Sequence, residues 1–95
     1  MERLQVKATE LVNDERVRAT RFEFKPGAET GWHIHEYDYL ITAITICTMQ
    51  IEEPGGVTRD VTVARGETYR RHKGVKHNVI NNGSSEMIFV EVEIK

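Results

Sequence analysis

Gly27-Ala28-Glu29-Thr30-Gly31-Trp32-His33-Ile34-His35 and, further along, Gly74-Val75-Lys76-His77-Asn78-Val79-Ile80-Asn81 are the two pieces of this chain whose reading decides its fold. Both read as β-strand introduced by Gly. In a strand, residues i and i+2 point to one face, so His33 and His35 project together, roughly 6–7 Å apart at their Cα atoms. If the segment around His77 lies beside them, three imidazoles converge on one point. That convergence is the arrangement of a metal site.

Outward from these pieces, Gly and Pro punctuate the chain at short intervals: Pro26-Gly27, Gly31, Pro54-Gly55-Gly56, Gly66, Gly74 and Asn82-Gly83. Between them lie runs rich in Val, Ile, Thr, Phe and Tyr. Such spacing predicts an all-β sandwich or barrel, and no segment keeps a 3.6-residue apolar period, so little or no helix is expected. Leu4–Val12 and Arg16–Phe24 read as the first two strands, joined at Asn13-Asp14, with Phe22 and Phe24 inward. Trp32–His35 is a short strand. Tyr37–Ile51 and Val57–Ala64 form a hairpin around Glu53-Pro54-Gly55-Gly56. Glu67–Arg71 leads into the loop His72–Lys76, and His77–Asn81 is expected to pair with Met87–Ile94 across the hairpin signal Asn82-Gly83.

Ninety-five residues suffice for one domain with a modest core, so 1–95 is read as a single unit. The formal net charge of −2 gives no reason to expect nucleic acid or an anionic membrane surface. The longest apolar run, Leu40–Cys47, is broken by Thr42 and Thr45 and does not approach a bilayer span. The opening Met1-Glu2-Arg3-Leu4-Gln5 has no apolar core of an export signal, and the single Cys47 forms no internal disulfide, so a reducing cytoplasm is expected. Cys47 sits in an apolar strand pattern and reads as a buried small hydrophobe.

Taken together, the two pieces resemble the two motifs of the cupin family. The first motif runs Gly, five residues, His-x-His, three or four residues, Glu, six residues, Gly; here Gly27 is followed by five residues and then His33-Ile34-His35. The second runs Gly, five residues, Pro-x-Gly, two residues, His, three residues, Asn; here Gly66, Gly74, His77 and Asn81 fall in register, with His72 in place of the Pro. His35-Glu36-Tyr37-Asp38-Tyr39 is similar to a small single-domain subgroup sometimes labelled with β-alanine degradation. The resemblance implies a double-stranded β-helix, or jelly-roll, cupin barrel. Two departures stand out. The motif Glu falls at Tyr39 or Leu40, and the closing Gly is absent, with Ile46 near its place.

The resulting ligand set is His33, His35 and His77 with Asp38, if the strand enters with Asp38 inward; with Tyr39 inward, a phenol or water completes the shell instead. Both alternations of Leu40–Cys47 are largely apolar and do not decide between them. Such a set suits divalent Fe, Mn, Ni, Zn or Cu and leaves a coordination position open. Asn81 reads as a turn or supporting group and His72 as solvent-exposed. Trp32 reads as a wall of the pocket mouth or as core or interface. Arg65, Arg70, Arg71, Lys73 and Lys76 read for the most part as a solvated strand and loop; the sharper reading is that one Arg faces inward beside the metal and grips a carboxylate by a bidentate pair, and the alternation leaves open whether Tyr69 and Arg71 or Arg70 and His72 face inside. The expected function is a metal-dependent enzyme (oxygenase, isomerase or lyase) on a small organic acid, or else a non-catalytic metabolite- or metal-binding sensing module. A homodimer is expected, with Leu4–Val12 as the pairing or exchanged strand.

Overall fold

Period-2 alternation between Gly and Pro breaks builds nine strands and no helix across residues 2–95, which the computed structural model describes. They are β1 (Lys7–Asn13), β2 (Val17–Phe24), β3 (His33–Ile34), β4 (Asp38–Ala43), β5 (Cys47–Glu53), β6 (Val57–Val63), β7 (Thr68–Arg71), β8 (Lys76–Asn81) and β9 (Met87–Ile94). Two antiparallel sheets face one another, one in the order β1-β2-β9-β4-β7 and the other β3-β8-β5-β6. The all-β double-stranded β-helix is therefore the architecture observed. No helix long and apolar enough to cross a membrane occurs among the described residues.

The core lies between the sheets. Phe24, Met49, Met87, Phe89 and Cys47 are almost wholly buried, and Phe89 packs against the rings of Phe24 and Phe22 at 5.3 and 5.5 Å. Each large apolar side chain removed from water contributes roughly 2 kcal/mol. In β4 the alternation resolves cleanly: Tyr39, Ile41 and Ala43 are buried, while Asp38, Leu40 and Thr42 face the other side.

Two expected elements differ. Tyr37–Ile51 is not one strand, because the chain leaves the first sheet at Ile44–Ile46 and enters the second as β5. The Ile44 and Thr45 N–H groups both donate to the Ile88 carbonyl there. His77–Asn81 does not pair with Met87–Ile94 either. β8 lies between β3 and β5, and β9 between β2 and β4, so Asn82-Gly83 carries a crossing between sheets. Buried Asn81 clips that crossing: its amide donates to the carbonyls of Phe24 and Ser85, and its Oδ1 accepts from the Gly83 N–H. The expected first hairpin, β1 with β2, and the β5–β6 hairpin both form.

Replacing Asn81 by Ala strands these three backbone groups in or near the core, so a loss of about 3 kcal/mol is expected in urea unfolding. A change below about half a kcal/mol would show that the crossing holds without its clip.

Candidate metal centre

His33 and His77 are direct cross-strand partners in the β3–β8 pair, so their side chains leave one face at neighbouring positions. His35 follows β3 and is fastened from both sides: its N–H donates to the Val75 carbonyl, and its carbonyl accepts from the Gly74 N–H. That contact needs the left-handed backbone of Gly74, at φ 95°, which a side chain would strain. Alternation and this clip together aim all three rings inward. The Nε2 atoms of His33 and His35 approach to 3.0 Å, as do those of His35 and His77.

The tautomer of His33 follows from its neighbours. Its Nδ1 lies 2.8 Å from the Gly31 carbonyl, which only accepts, so Nδ1 carries the proton and Nε2 the lone pair. Gly31 is itself held by its N–H donating to Asn78 Oδ1, and the Asn78 amide donates to Glu29 and Glu52. His35 and His77 are deeply buried, and their Nδ1 atoms have no hydrogen-bond partner among the described residues. Burial first, and then the neighbouring His33, lowers His35 to about 4 and His77 to about 3. Both are neutral at physiological pH, the form that binds metals.

The spacing itself tests the fit of a metal ion. Two metal–nitrogen bonds of about 2.1 Å meeting at a right angle span about 3.0 Å, whereas a tetrahedral pair spans about 3.4 Å. The observed 3.0 Å matches the right angle of a six-coordinate site. Chemically and sterically, the three Nε2 atoms fit a divalent transition metal.

A cavity of about 340 Å³ adjoins the histidines, walled by Tyr39, Tyr69, Glu91 and, from β1 and its approach, Ala8 and Val6. The inner face of the five-stranded sheet is graded by register. Phe22, Phe89 and Ala43 form an apolar row; Thr20, Glu91, Ile41 and Tyr69 form the next; Arg18, Glu93, Tyr39 and Arg71 form the outermost.

The model of the cupin domain family, Cupin_2, matches residues 20–93. The chain is a cupin. It is 43% identical over 93 residues to the β-alanine degradation protein BauB of Pseudomonas aeruginosa, covering 98% of this chain and 97% of that one. A solved cupin domain from Bordetella pertussis is 42% identical, with a TM-score of 0.95 over 100% of this cupin and 98% of that chain. A Klebsiella pneumoniae protein with a double-stranded β-helix domain shares the fold at 19% identity, TM-score 0.77, over 95% and 76% of the two chains.

Within the cupin barrel, the structure brings His33, His35 and His77 together and leaves Asp38 out. Asp38 begins β4 on the outward phase, where its carboxylate accepts from the Lys73 N–H at 2.8 Å and from Arg70. That backbone hydrogen bond, followed by the Arg70 contact, holds the carboxyl below its usual range. Tyr39 takes the inward phase, and its ring stacks on His35 with 3.8 Å between centroids. Burial keeps the Tyr39 phenol protonated well above its ordinary range, so Tyr39 is a neutral wall in the place of the motif Glu. His72 is exposed, and Trp32 is half-exposed and outside the cavity wall.

Sequence reasoning missed the acidic pair on β9. Glu91 and Glu93 are buried; Glu93 takes a bidentate contact from Arg18, and Glu91 Oε1 lies 4.0 Å from His35 Nδ1. Burial, reinforced by Glu93, raises Glu91 to about 7. The available signal was Phe89-Val90-Glu91-Val92-Glu93, where both acids alternate in phase with Phe89.

These shifts set the acid stability of the metal-free protein. Unfolded imidazoles titrate near 6.5 while folded His35 and His77 stay neutral to about 4 and 3, so below 6.5 the unfolded chain binds more protons and stability falls. Folded Glu91 holds its proton up to about 7 and opposes this below that value. Two imidazoles outweigh one carboxyl, leaving a net loss of roughly one kcal/mol per pH unit from about 6.5 to 4.5. The melting temperature is expected to drop between about pH 7 and pH 5, less steeply for His77→Gln and more steeply for Glu91→Gln. A flat profile would mean the imidazoles are solvated.

Proposed function

We propose that this cupin holds a divalent transition metal on the Nε2 atoms of His33, His35 and His77 and acts as an enzyme on a small organic acid bound in the adjoining cavity. The observation that carries the reading is the convergence of three imidazoles, those of His35 and His77 buried and that of His33 half-buried, with His35 Nε2 3.0 Å from the Nε2 atoms of both His33 and His77. Among Fe, Mn, Ni, Zn and Cu, the right-angled spacing favours the ions that readily take six ligands: Fe(II), Mn(II) and Ni(II). When bound, such an ion supplies Lewis-acid polarisation of a ligand oxygen.

The chain's own groups account for the rest. The Gly31 carbonyl fixes the His33 tautomer, and the Tyr39 ring covers one face of His35 and keeps water from it. Glu91 lines the cavity and is poised to accept or release a proton near neutral pH, an ionisable group that a passive pocket does not need. The reaction class is oxygenation, isomerisation or lyase cleavage. BauB belongs by name to β-alanine degradation, and β-alanine is itself a small carboxylic acid, which supports the substrate class. The neutral Tyr39 in place of the motif Glu favours a second reading, a non-catalytic metabolite- or metal-binding module.

Protein purified without a histidine tag is expected to carry close to one equivalent of metal by plasma mass spectrometry. His77→Ala is expected to lose it, and Asp38→Asn to retain it. Less than about a tenth of an equivalent, unrestored by added metal, would sink the reading.

The second proposed partner is another copy of this chain. In register across the outer face of the five-stranded sheet stand Val12, Ala19, Val92 and Leu40, flanked by Val17 and Ile94, an apolar stripe turned away from the core. β1 adds a free edge and exposed Leu11. The wild-type protein is expected to sediment as a dimer and Val92→Lys as a monomer; a monomeric wild type would end the proposal.

A further inference from the structure

Arg71 is the one inward-facing arginine of the barrel left without a partner among the described residues. On the same inner row, Arg18 is bound in a bidentate contact by Glu93. Arg59, in the opposite sheet, is held by Glu53 at 2.8 Å. Arg70, next in sequence, turns outward to Asp38. The Arg71 side chain makes no hydrogen bond or ion pair although it is half-buried. Its phase is settled by β7, where Tyr69 and Arg71 are partly buried and Thr68 and Arg70 exposed.

Its position relative to the histidines follows from register. Arg71 stands opposite Tyr39 in the β4–β7 pair, and the Tyr39 ring lies on His35. Cross-strand neighbours of this kind are about 5 Å apart, so Arg71 is one strand step from the ring that covers the site. Arg71 also lines a second cavity of about 260 Å³ with Arg59, Glu53, Ile51, Val61 and Tyr69, and Tyr69 lines the histidine cavity as well. Since Glu53 and Arg59 neutralise each other, the uncompensated charge of this second cavity is positive. The Tyr69 hydroxyl, kept protonated by burial to about 12, is available there as a donor.

We infer that Arg71, with Tyr69 beside it, anchors the carboxylate of a small ligand whose other end lies at His33, His35 and His77. A planar guanidinium matches the two oxygens of a carboxylate in a way a lysine does not. One fork and one hydroxyl satisfy a single carboxylate, whereas phosphate sites commonly draw on a nest of backbone N–H groups as well. The apolar Ile51 and Val61 suit a short carbon chain. The inference rests on the metal-and-ligand reading above and deepens it by naming the ligand's charged group and the residue that receives it.

Calorimetric titration tests this with malonate and its neutral diamide, malonamide, on Mn(II)-supplemented and metal-free protein. Malonate is expected to bind the wild type more tightly than malonamide. Arg71→Leu is expected to weaken malonate by roughly ten- to a hundredfold, as loss of a hydrogen-bonded ion pair does, and to leave malonamide unchanged. Arg71→Lys is expected to recover part of the loss. Manganese content and melting temperature are measured on each variant, so a collapsed barrel is not mistaken for a lost anchor. Malonate binding within about twofold of wild type in folded Arg71→Leu overturns the inference, as does a wild type that does not prefer malonate over malonamide. If the wild type takes up no metal, the metal reading fails alone. Arg71-dependent malonate binding by the metal-free protein then sustains the anchor, and its absence overturns it.

Discussion

The pairing of His33 with His77 across β3 and β8 is the contact on which the centre depends. β3 is only two residues long, too short to hold a register by its own ladder. Its place is set instead by side-chain and loop contacts around it: Asn78 Oδ1 on the Gly31 N–H, the Thr30 N–H on the Val79 carbonyl, and the two-way clip between His35 and the Gly74–Val75 turn. A one-residue slip of β3 would turn His33 outward and Ile34 inward. The polar network outside the barrel thus acts on the three-histidine cluster inside it, because it fixes which alternation faces the core.

The inner face of the five-stranded sheet answers an energetic conflict. Burying imidazoles and carboxylates costs stability unless they are neutral or paired. Each buried group on this wall meets that demand differently. Glu93 is paired with Arg18, Glu91 shifts toward its protonated form, and Tyr39 keeps its proton, while His35 and His77, facing them across the barrel, shed theirs. The apolar row of Phe22, Phe89 and Ala43 seals the opposite end, so the stabilising core and the polar site occupy successive rows of the same strands.

Much of this was legible in the chain. Alternation put His33 and His35 on one face, and the likeness of the Gly-framed His77 segment to the second cupin motif pointed to it as the third imidazole, which the β3–β8 pairing places beside them. Other features were illegible for physical reasons. Apolar residues on both faces of Leu40–Cys47 hid both the break at Ile44–Ile46 and the phase that turns Tyr39 inward and Asp38 outward. Asn82-Gly83 signals a reversal but not which sheet receives the chain. On β9, Ile88, Val90, Val92 and Ile94 make a more apolar face than Met87, Phe89, Glu91 and Glu93, yet the second set lines the barrel. A pattern that reads hydrophobic as inward selects the wrong face there, because the right one carries the site.

Charge balance inside the barrel bears on what the cavity receives. Buried His35 and His77 bring no charge, and Arg18 cancels Glu93. Glu91, held near neutrality, offsets Arg71 only in part. A family-type Glu at Tyr39 would add a negative charge; the phenol adds none. The proposed dication therefore enters a site whose own groups do not neutralise it, and low-dielectric walls make such an imbalance costly. A ligand bearing one or more carboxylates relieves it directly, while a neutral ligand leaves it in place. The replacement of the motif Glu by Tyr39 and the unpaired state of Arg71 thus lead to one consequence: under the proposed function, the missing negative charge is one that the ligand would supply.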